Sequence, residues 1–405
     1  MIGSIFKDLF ILLISYWWLF IPPILLMVFF DAWLIFRRAQ HKNKIVWKLL
    51  ELRIPKEVLK TPKAMEQVFA SIHAIYSFGI GFFDKWWKGK LEDWLSFELV
   101  GRAGHFHFFV RTPEVFRNLV ESAIYAQYPD AEINEVDDYV HEFSPRLPDE
   151  VYDLWGGDFV LAADDIHPIK TYPHFEENVE ERRIDPVASI AEVMTKLKES
   201  EAIWLQFVLR AVGNDWKDKY EEETRAGGKS KKTGFFYYVM NEISEFTRNL
   251  TFAFVKHPDW PDQEEKKPET KPFKEVDFEK PKKLCFEGAL RFVYIDRKDS
   301  FTRSNISAVM GFLRQFSDPS ENSFKLNSET VPSCKWPFKQ NKAQRRKRVL
   351  FDNYRVRHFP HKFSIFNVEE LATVYHFPLS GAVKASILRR IESKRGGPPA
   401  GLPTV

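Results

Sequence analysis

One apolar run near the N-terminus constrains this chain most, because every later segment must be arranged relative to the membrane that it predicts. The run covers residues 9 to 36 and reads LFILLISYWWLFIPPILLMVFFDAWLIF, without a charged side chain from Leu9 to Phe30. At about 1.5 Å of rise per helical residue, the uncharged part would be about 33 Å long, close to one hydrocarbon core. The sequence therefore predicts one membrane-spanning helix within an anchor and juxtamembrane segment of residues 1 to 43.

Two other interpretations of the run are weaker. Pro22 and Pro23 would divide it into two half-helices, each too short to cross a bilayer. A membrane helix tolerates proline when other groups satisfy the freed carbonyls, so a kinked single helix is preferred. A cleaved signal peptide is disfavoured because the apolar run is too long and no small-residue cleavage site follows it.

The charges that flank the run predict its orientation. Lys7 is the basic residue on the N-terminal side, and five follow on the C-terminal side: Arg37, Arg38, Lys42, Lys44 and Lys48. Positive charge stays on the cytoplasmic side, so the N-terminus should lie outside and the later domains inside.

Two cysteines are too few for a disulfide framework and agree with a reducing compartment. The predicted location is the inner, cytoplasmic membrane, crossed once and in contact with lipid.

The length and net charge of the chain bound its function class. With 405 residues, the chain has room for two or three domains beyond an anchor. The formal net charge of +3 is close to neutral for this size, so the whole chain has no strong electrostatic attraction to nucleic acid. Only a local basic patch could provide such an attraction.

Residues 44 to 148 have the pattern of a ferredoxin-like domain. Alternating apolar residues predict a first strand, and Thr61-Pro62 opens an amphipathic helix. Two further alternating runs, joined by a tight turn, predict a hairpin. A second helix that Thr112-Pro113 opens and a last short strand complete a β-α-β-β-α-β order.

Residues 149 to 330 begin the same order again. A strand precedes the helix that Asp185-Pro186 opens, and a long alternating strand follows. A charged, Pro/Glu/Lys-rich insertion from residue 215 to 283 interrupts the order before a strand and a helix resume it. The predicted fold class is therefore α+β, with an N-terminal transmembrane helix followed by two ferredoxin-like (βαββαβ) units, the second with a large insertion.

Residues 331 to 405 are predicted to form a basic loop and a C-terminal tail. The basic cluster covers residues 339 to 348, and its densest part is Arg345, Arg346, Lys347 and Arg348. These side chains could neutralise the phosphates of a nucleic acid. A contact with anionic lipid and a solvated loop explain the cluster equally well. Further on, a short helix begins at Asn367, with Glu370 three residues later as in a capping box.

Two motifs resemble phosphate and metal sites, but each has a simpler interpretation. Gly228-Lys229-Ser230 ends like a phosphate loop, yet the required first glycine would fall at Glu223. His105 and His107 share one face of a strand, the spacing that two zinc ligands need. The sequence shows no second pair of ligands arranged to complete the shell, so a solvated or interface strand face is favoured.

A third motif could carry acid/base chemistry. Asp164, Asp165 and His167 follow a predicted strand, where an ordinary polar turn would have the same residues. The turn is the preferred interpretation. The sequence thus predicts no catalytic residue, no metal and no cofactor.

Four stretches carry a resemblance to a known family. They read IVWKLLELRIPKEVLKTPKAMEQVFASIHAIY, FHFFVRTPEVFRNLVESAIYAQYPDAEINEVDDY, FSIFNVEELATVYHFP and ESKRGGPPAGLP, with the most specific parts at residues 62–71, 111–139 and 367–378. They resemble the N-terminal membrane-anchored region of the conjugative type IV secretion ATPases, in particular the coupling-protein-like members. In that family the third stretch leads into a RecA-like motor domain. This chain is expected to lack the motor, because no Walker sequence precedes Val405.

The resulting hypothesis is a non-enzymatic, membrane-anchored cytoplasmic component of a type IV secretion or DNA-transfer machine that docks a separate motor ATPase. The short C-terminal helix would supply the apolar contact through Leu371, Val374, Tyr375 and Phe377. Packing of that helix on the chain's own second domain is the alternative. The runner-up function is a membrane-anchored nucleic-acid-binding protein that uses residues 339–348, and a membrane enzyme is a third. Self-association into a homo-oligomer stays open.

Overall fold

The computed structural model shows a mixed α+β fold built on one large antiparallel sheet. It describes residues 17–53, 60–76, 80–175, 185–213, 216, 280–333, 339–360 and 362–378. Residues 1–213 and 280–405 belong to one compact unit, and residues 214–279 to another. Most of the predicted insertion, including the Gly228-Lys229-Ser230 motif, lies outside the described residues.

The helices and strands of the described residues are as follows. The strands are β1 (Trp47–Arg53), β2 (Leu95–Arg102), β3 (His105–Pro113), β4 (Glu132–Glu135), β5 (Tyr152–Leu161), β6 (Ala202–Val212), β7 (Cys285–Arg297), β8 (Phe324–Leu326) and β9 (Ser364–Asn367). The helices are α1 (Trp17–Lys44), α2 (Pro62–Ile72), α3 (Phe82–Trp86), α4 (Arg117–Gln127), α5 (Pro186–Thr195), α6 (Arg303–Arg314), α7 (Lys339–Arg355) and α8 (Val368–Val374).

The strand order of the sheet repeats. The strands lie in the order β4-β1-β3-β2-β6-β7-β5-β8, with β9 paired to β7, and neighbouring strands are antiparallel. The first four strands and the next four have the same order when the second set is read from its outer edge. The two halves join where β2 pairs with β6, from Leu95 opposite Leu209 to Arg102 opposite Ala202.

Both faces of the sheet are covered. Side chains alternate between the faces along a strand, so Leu205 and Phe207 of β6 belong to one apolar cluster and Trp204 to another. The larger cluster includes residues of α2, α4, α5, α6 and α8. The smaller cluster includes Phe351 of α7. Helix α7 therefore covers the face opposite these five helices.

Helix α1 leads directly into the first strand of the sheet. It begins at Trp17 and ends at Lys44, just before β1. Residues 9–16 of the predicted membrane span lie outside the described ranges. Among the residues described, no helix combines the length and the apolar character needed to cross a bilayer.

Two predicted helix starts are confirmed by hydrogen bonds. The Asp185 carboxylate caps α5 by accepting from the N–H groups of Val187 and Ala188. At α8, the Asn367 side chain accepts from the Glu370 N–H at 2.8 Å, and the Glu370 carboxylate accepts from the Asn367 N–H at 2.8 Å. This is the capping box that the sequence predicts.

The predicted β2–β3 hairpin turns at Ala103 and Gly104, which have φ of 46° and 75°. A two-residue turn with two positive φ angles matches the twist of the strands that it joins. Gly101 lies inside β2, just before the turn. A Cβ there would lie 2.4 Å from the Met194 side chain, so this glycine allows α5 to approach the sheet.

Candidate nucleic-acid interface

The basic cluster lies on helix α7, whereas the sequence analysis predicts a loop there. The segment from Lys339 to Arg355 contains no proline or glycine, and its Lys, Gln, Arg and Ala residues are good helix formers. Leu350, Phe351 and Tyr354 are spaced to form one apolar side, and all three are buried. Charge density alone suggests a solvated loop, but the apolar end of the segment gives the helix a surface to pack with.

The apolar side of α7 packs on an aromatic group of the sheet. The rings of Trp204 and Phe351 are stacked with centroids 6.3 Å apart, and Trp204 lies 5.2 Å from the Tyr354 ring. Trp204 also contacts Tyr139, from the segment after β4, at 5.0 Å. Buried aromatic pairs of this kind contribute about 1 kcal/mol each beyond their buried area. The helix is therefore fixed to the sheet through its C-terminal half.

Two of the four predicted contact residues stabilise the chain itself. A guanidinium nitrogen of Arg346 donates to the carbonyl oxygens of Ser328, Val331 and Ser333 at 3.1, 2.9 and 3.1 Å. The Lys347 ammonium donates to both carboxylate oxygens of Asp153 at 2.6 and 2.7 Å. These contacts attach the middle of α7 to β5 and to the segment after β8.

The other two residues lie on the outer side of the helix. Arg345 and Arg348 are exposed, and Lys342 is exposed one turn earlier. Residues spaced by three along a helix lie on the same side, so these three cations form one row, here called the cationic row. The row borders a pocket of about 320 Å³ beside β5, whose lining includes Lys342, Arg345, Asp158, Thr330 and Asn353.

Beneath α7, a row of buried polar side chains crosses four strands. Glu98, Gln206, Arg291 and Asp158 lie directly opposite one another on β2, β6, β7 and β5. We call these four residues the polar row. The Gln206 amide donates to Glu98 at 2.9 Å, Arg291 donates to Gln206 at 3.3 Å, and Arg291 Nε donates to Asp158 at 2.7 Å. Arg291 also donates to the carbonyl of Asn353 in α7 at 2.9 Å, so the row reaches the helix.

Arg357, just after α7, supplies the charge that balances Glu98. Its guanidinium donates to both Glu98 oxygens, at 2.9 and 3.1 Å, and to Asp138 at 2.9 Å. Burial opposes ionisation of Glu98, but the Arg357 charge and the hydrogen bonds from Arg357, Tyr139 and Ser96 lower its pKa to about 2. Arg357 has φ of 51°, in the region that favours glycine, so the ion pair holds a backbone conformation that arginine rarely adopts.

The helix that carries the cationic row is therefore held against the sheet by its own contacts. Its own residues face solvent, whereas Arg346, Lys347 and Arg357 are held by the fold. The sequence shows the density of charge but not this division, because adjacent residues of a helix point in different directions. Arg357 and the polar row are the residues that the sequence reasoning misses. The one available signal is a charged or amide residue in a strand with large apolar residues on both sides.

The four predicted docking residues lie in the core of the chain. Leu371, Val374, Tyr375 and Phe377 are each no more than 2% exposed. The Tyr375 ring lies 5.2 Å from that of Phe97, and the other ring contacts include residues of β3 and α2. Helix α8 and the residues after it thus pack on their own chain, with these ring contacts in the first half of the sheet. These side chains leave no apolar surface for a partner in this conformation.

The predicted solvated or interface strand face is wrong for one of the two histidines, because His107 is buried and makes a hydrogen bond within the fold. His107 is buried, and its Nδ1 lies 2.7 Å from a carboxylate oxygen of Glu51. Burial raises the pKa of Glu51, but hydrogen bonds from His107 and Arg53 outweigh it and lower that pKa to about 2. His105 is exposed. Among the described residues, no group of three or more His, Cys, Asp or Glu side chains is placed to hold a metal ion.

The Asp164, Asp165 and His167 segment is a polar turn with tertiary contacts. The carbonyl oxygens of Asp164 and His167 both accept from the Asn322 amide, at 3.1 and 2.9 Å. Burial raises the pKa of Asp165 to about 6. The His167 ring lies 3.0 Å from Glu321. These contacts join the turn to the connection before β8, which is the polar-turn interpretation that the sequence favours.

The fold and the site define the class of the protein: an α+β protein whose continuous antiparallel sheet carries a cationic helix on one face. The sequence matches a family model described as "Domain of unknown function (DUF8128)" over residues 38–386. Because the match covers most of the chain, the chain belongs to this family. A comparison with curated proteins gave no match.

Proposed function

We propose that this chain is a non-enzymatic, membrane-associated protein that binds the phosphate groups of a nucleic acid through the cationic row of α7. The proposal rests on one observation, which is that some residues of the basic cluster bind the rest of the chain whereas others face solvent. Arg346 and Lys347 hold the helix, and Lys342, Arg345 and Arg348 remain on its outer side. Because the helix already fixes the backbone of these three cations, binding costs less backbone ordering entropy than it would for cations on a mobile loop.

Three exposed cations are consistent with weak binding to nucleic acid that does not depend on the base sequence. Each phosphate that a cation neutralises contributes about −0.9 to the slope of log K against log salt concentration. Three cations should therefore give a slope of about −2 to −3, with an affinity that falls steeply as salt is added. The near-neutral net charge of +3 adds little long-range attraction, so the contact depends on the row itself.

The test is a titration of the full chain, in detergent, with a fluorescent DNA duplex at several salt concentrations. We expect Arg345→Gln/Arg348→Gln to reduce the salt slope by about 2 and to weaken binding about tenfold at low salt. Arg314→Gln is the matched control, because Arg314 is an exposed arginine on α6, on the opposite face of the sheet. An unchanged slope in the double variant would contradict the proposal.

The same variants separate nucleic acid from lipid. Vesicles of phosphatidylcholine with phosphatidylglycerol are offered to each variant in place of DNA. Loss of vesicle binding together with unchanged DNA binding would assign the row to anionic lipid and overturn the nucleic-acid proposal. Loss of DNA binding with unchanged vesicle binding supports it.

We also infer that each half of the sheet is a ferredoxin-like unit. The β4-β1-β3-β2 half and the β8-β5-β7-β6 half have the same strand order. In each half, one helix follows the first strand and another follows the third, which agrees with a βαββαβ unit. The short helix α3 is an addition between the first helix and the second strand of the first unit.

The membrane and secretion parts of the hypothesis rest on the sequence. The uncharged run from Leu9 to Phe30 and the basic residues after it support membrane association. The resemblance to coupling-protein-like ATPases supports a place in a DNA-transfer machine. Docking of a motor ATPase stays a prediction, and any such contact must use a surface other than the four buried residues of α8 and the segment after it.

A further inference from the structure

The middle of α1, helix α3 and the residue that follows α3 together form an exposed aromatic surface. Its rings, here called the aromatic collar, are those of Phe29, Phe30, Trp33, Phe83, Trp86 and Trp87. The Phe30 and Trp86 rings lie 6.4 Å apart, and those of Trp33 and Trp87 lie 6.0 Å apart, so each helix contributes to one continuous surface. The sequence reasoning leaves this short helix unassigned.

The segment just after α3 contacts α1 through backbone groups. Arg37 Nε of α1 donates to the carbonyl oxygen of Trp87 at 2.6 Å. Gly89 has φ of 67°, and a Cβ there would lie 2.4 Å from the carbonyl carbon of Arg37. Only a glycine permits both this conformation and this approach. Helix α3 is therefore attached to α1 at a defined level.

The collar presents large apolar side chains to the surroundings. Phe83 is 63% exposed, Trp87 58% and Phe29 58%. Isolated exposed aromatics are common, but a contiguous group from two helices marks an interaction surface. Within the part of the chain that the structure describes, the outer side of this group is uncovered.

The charges around the collar match an anionic lipid surface. Basic residues lie close in sequence to the collar residues, with Arg37 and Arg38 on α1 and Lys85, Lys88 and Lys90 in and just after α3, and Lys88 pairs with Asp84 at 2.7 Å. Tryptophan is enriched where hydrocarbon meets headgroups, and Lys or Arg near an anionic leaflet is attracted to it. In sequence, Phe29, Phe30 and Trp33 belong to the apolar run that extends back to Leu9. A protein partner would need acidic groups to match these cations, whereas a bilayer supplies both the apolar layer and the anions.

We propose that α3 is a second membrane-contacting element, in which Phe83, Trp86 and Trp87 insert at the headgroup level of an anionic bilayer beside α1. The proposal rests on the proposed membrane association and adds its geometry. A single helix would let the sheet swing about the segment between α1 and β1. Two contacts, from α1 and α3, hold the sheet in one orientation against the bilayer.

The test measures how deep single positions lie in the bilayer. The full chain, with both native cysteines changed to alanine, receives one environment-sensitive fluorophore on a cysteine at position 83, 87, 29 or 325. It is reconstituted into phosphatidylcholine vesicles with or without phosphatidylglycerol, which contain lipids brominated at a shallow or a deep acyl position. Lys325 is the control, because it is exposed on β8 at the outer edge of the sheet.

We expect shallow quenching for Phe83→Cys and Trp87→Cys, quenching for Phe29→Cys, and none for Lys325→Cys. Phosphatidylglycerol should increase the quenching at position 83 about twofold, because the basic residues hold the collar to anionic lipid. Quenching at 29 without quenching at 83 and 87 would overturn the role of α3 while the anchor stands. Absence of quenching at 29 as well would overturn membrane association itself. An unquenched label at 83 that becomes shielded as the chain self-associates would identify a second copy as the occupant.

Discussion

At the scale of single residues, the most consequential contact is the buried ion pair between Glu98 and Arg357. Both side chains are no more than 1% exposed, and the pair lies between the sheet and the end of α7. Taking two charges out of water costs several kcal/mol per ion, and good geometry with further hydrogen bonds is needed to offset that cost. Ser96, Tyr139 and Gln206 supply those bonds to Glu98. The pair therefore fixes the position of α7 more than it adds net stability.

Glu98→Gln should destabilise the fold strongly at neutral pH. The substitution keeps the shape of the side chain but leaves the Arg357 charge with Asp138 as its remaining carboxylate, so we expect a loss of about 3 kcal/mol in the free energy of unfolding. Urea denaturation, followed by tryptophan fluorescence, measures it. Lys362→Gln is the control, because its pair with Glu329 is solvent-exposed and its loss should change the free energy of unfolding far less.

The pH dependence of the stability difference between wild type and Glu98→Gln tests whether the charge of Glu98 causes that difference. The pKa of Glu98 is about 2 in the folded chain, below its ordinary value of 4.5. A carboxyl with a lowered folded pKa stabilises the fold above the unfolded pKa, and this contribution is lost as pH falls through the folded pKa. The stability gap between wild type and Glu98→Gln should therefore be full at pH 7 and shrink between about pH 4.5 and 2. A gap that does not change with pH would show that packing, not charge, is responsible.

At the scale of helices and strands, α8 is a core helix. Its apolar residues pack with α2 and with strands of the first half of the sheet, and its Glu370 pairs with the buried Lys280 at 3.1 Å. The same residues read from sequence as an exposed docking face, because a short amphipathic helix near the end of a chain gives no indication of which surface covers it. The alternative of packing on the chain's own second domain is met only in part, because the helix packs on its own chain but its ring contacts are with the first half of the sheet.

Leu371→Ala distinguishes a core helix from a docking helix. Leu371 is 2% exposed, so its truncation should cost about 3 kcal/mol in the free energy of unfolding through lost burial and a cavity. Val356→Ala is the matched control, since Val356 is 60% exposed and its change should stay within about 0.5 kcal/mol. Chemical denaturation of both variants gives the comparison. Equal midpoints for wild type and Leu371→Ala would show that α8 is detached in solution.

Most helices and strands could be predicted from the sequence, because local interactions determine where they begin and end. Asp185 and the Asn367–Glu370 capping box mark helix starts by short-range hydrogen bonds, and alternation along β6 marks a strand. The alternation of apolar and polar residues suggests the wrong exposure for some strand residues. Glu98 and Gln206 read as a solvent-facing side, but both are fully buried under α7. A helix that arrives about 150 residues after its strand cannot be placed by local pattern, and neither could the division of the cationic cluster.

At the scale of the whole molecule, the two halves share one sheet and one core. Residues from β2, β6 and β7 belong to the same apolar cluster, and that cluster includes helices of both halves. Buried polar groups also cross the junction, since Gln206 of the second half donates to Glu98 of the first. The join is therefore a continuous β-ladder with packed side chains on both faces. Domains that meet in this way depend on each other for stability.

The final prediction is that residues 44 to 148 do not form a stable monomer alone, although they close a complete β-α-β-β-α-β order. Isolation would remove the β6 strand that pairs with β2 and would leave a long apolar edge open to association. It would also remove Gln206, Arg357 and helix α7, so Glu98 would lose its charge partner and the apolar residues of this face, such as Val100 and Phe109, would lose their cover. We expect the fragment to aggregate, or to melt without a sharp transition in circular dichroism.

Co-expression with residues 149 to 378 supplies the control within the same experiment. The second fragment brings back β6, β7, α7 and Arg357, so the two pieces should purify together and regain a cooperative thermal transition. Co-purification should become weaker when Glu98→Gln is placed in the first fragment, because the β2–β6 pairing remains but the Arg357 charge loses its carboxylate partner across the two pieces. A monomeric fragment 44–148 with a sharp transition of its own would show that the β2–β6 junction is a contact between independent domains instead of the centre of one folding unit.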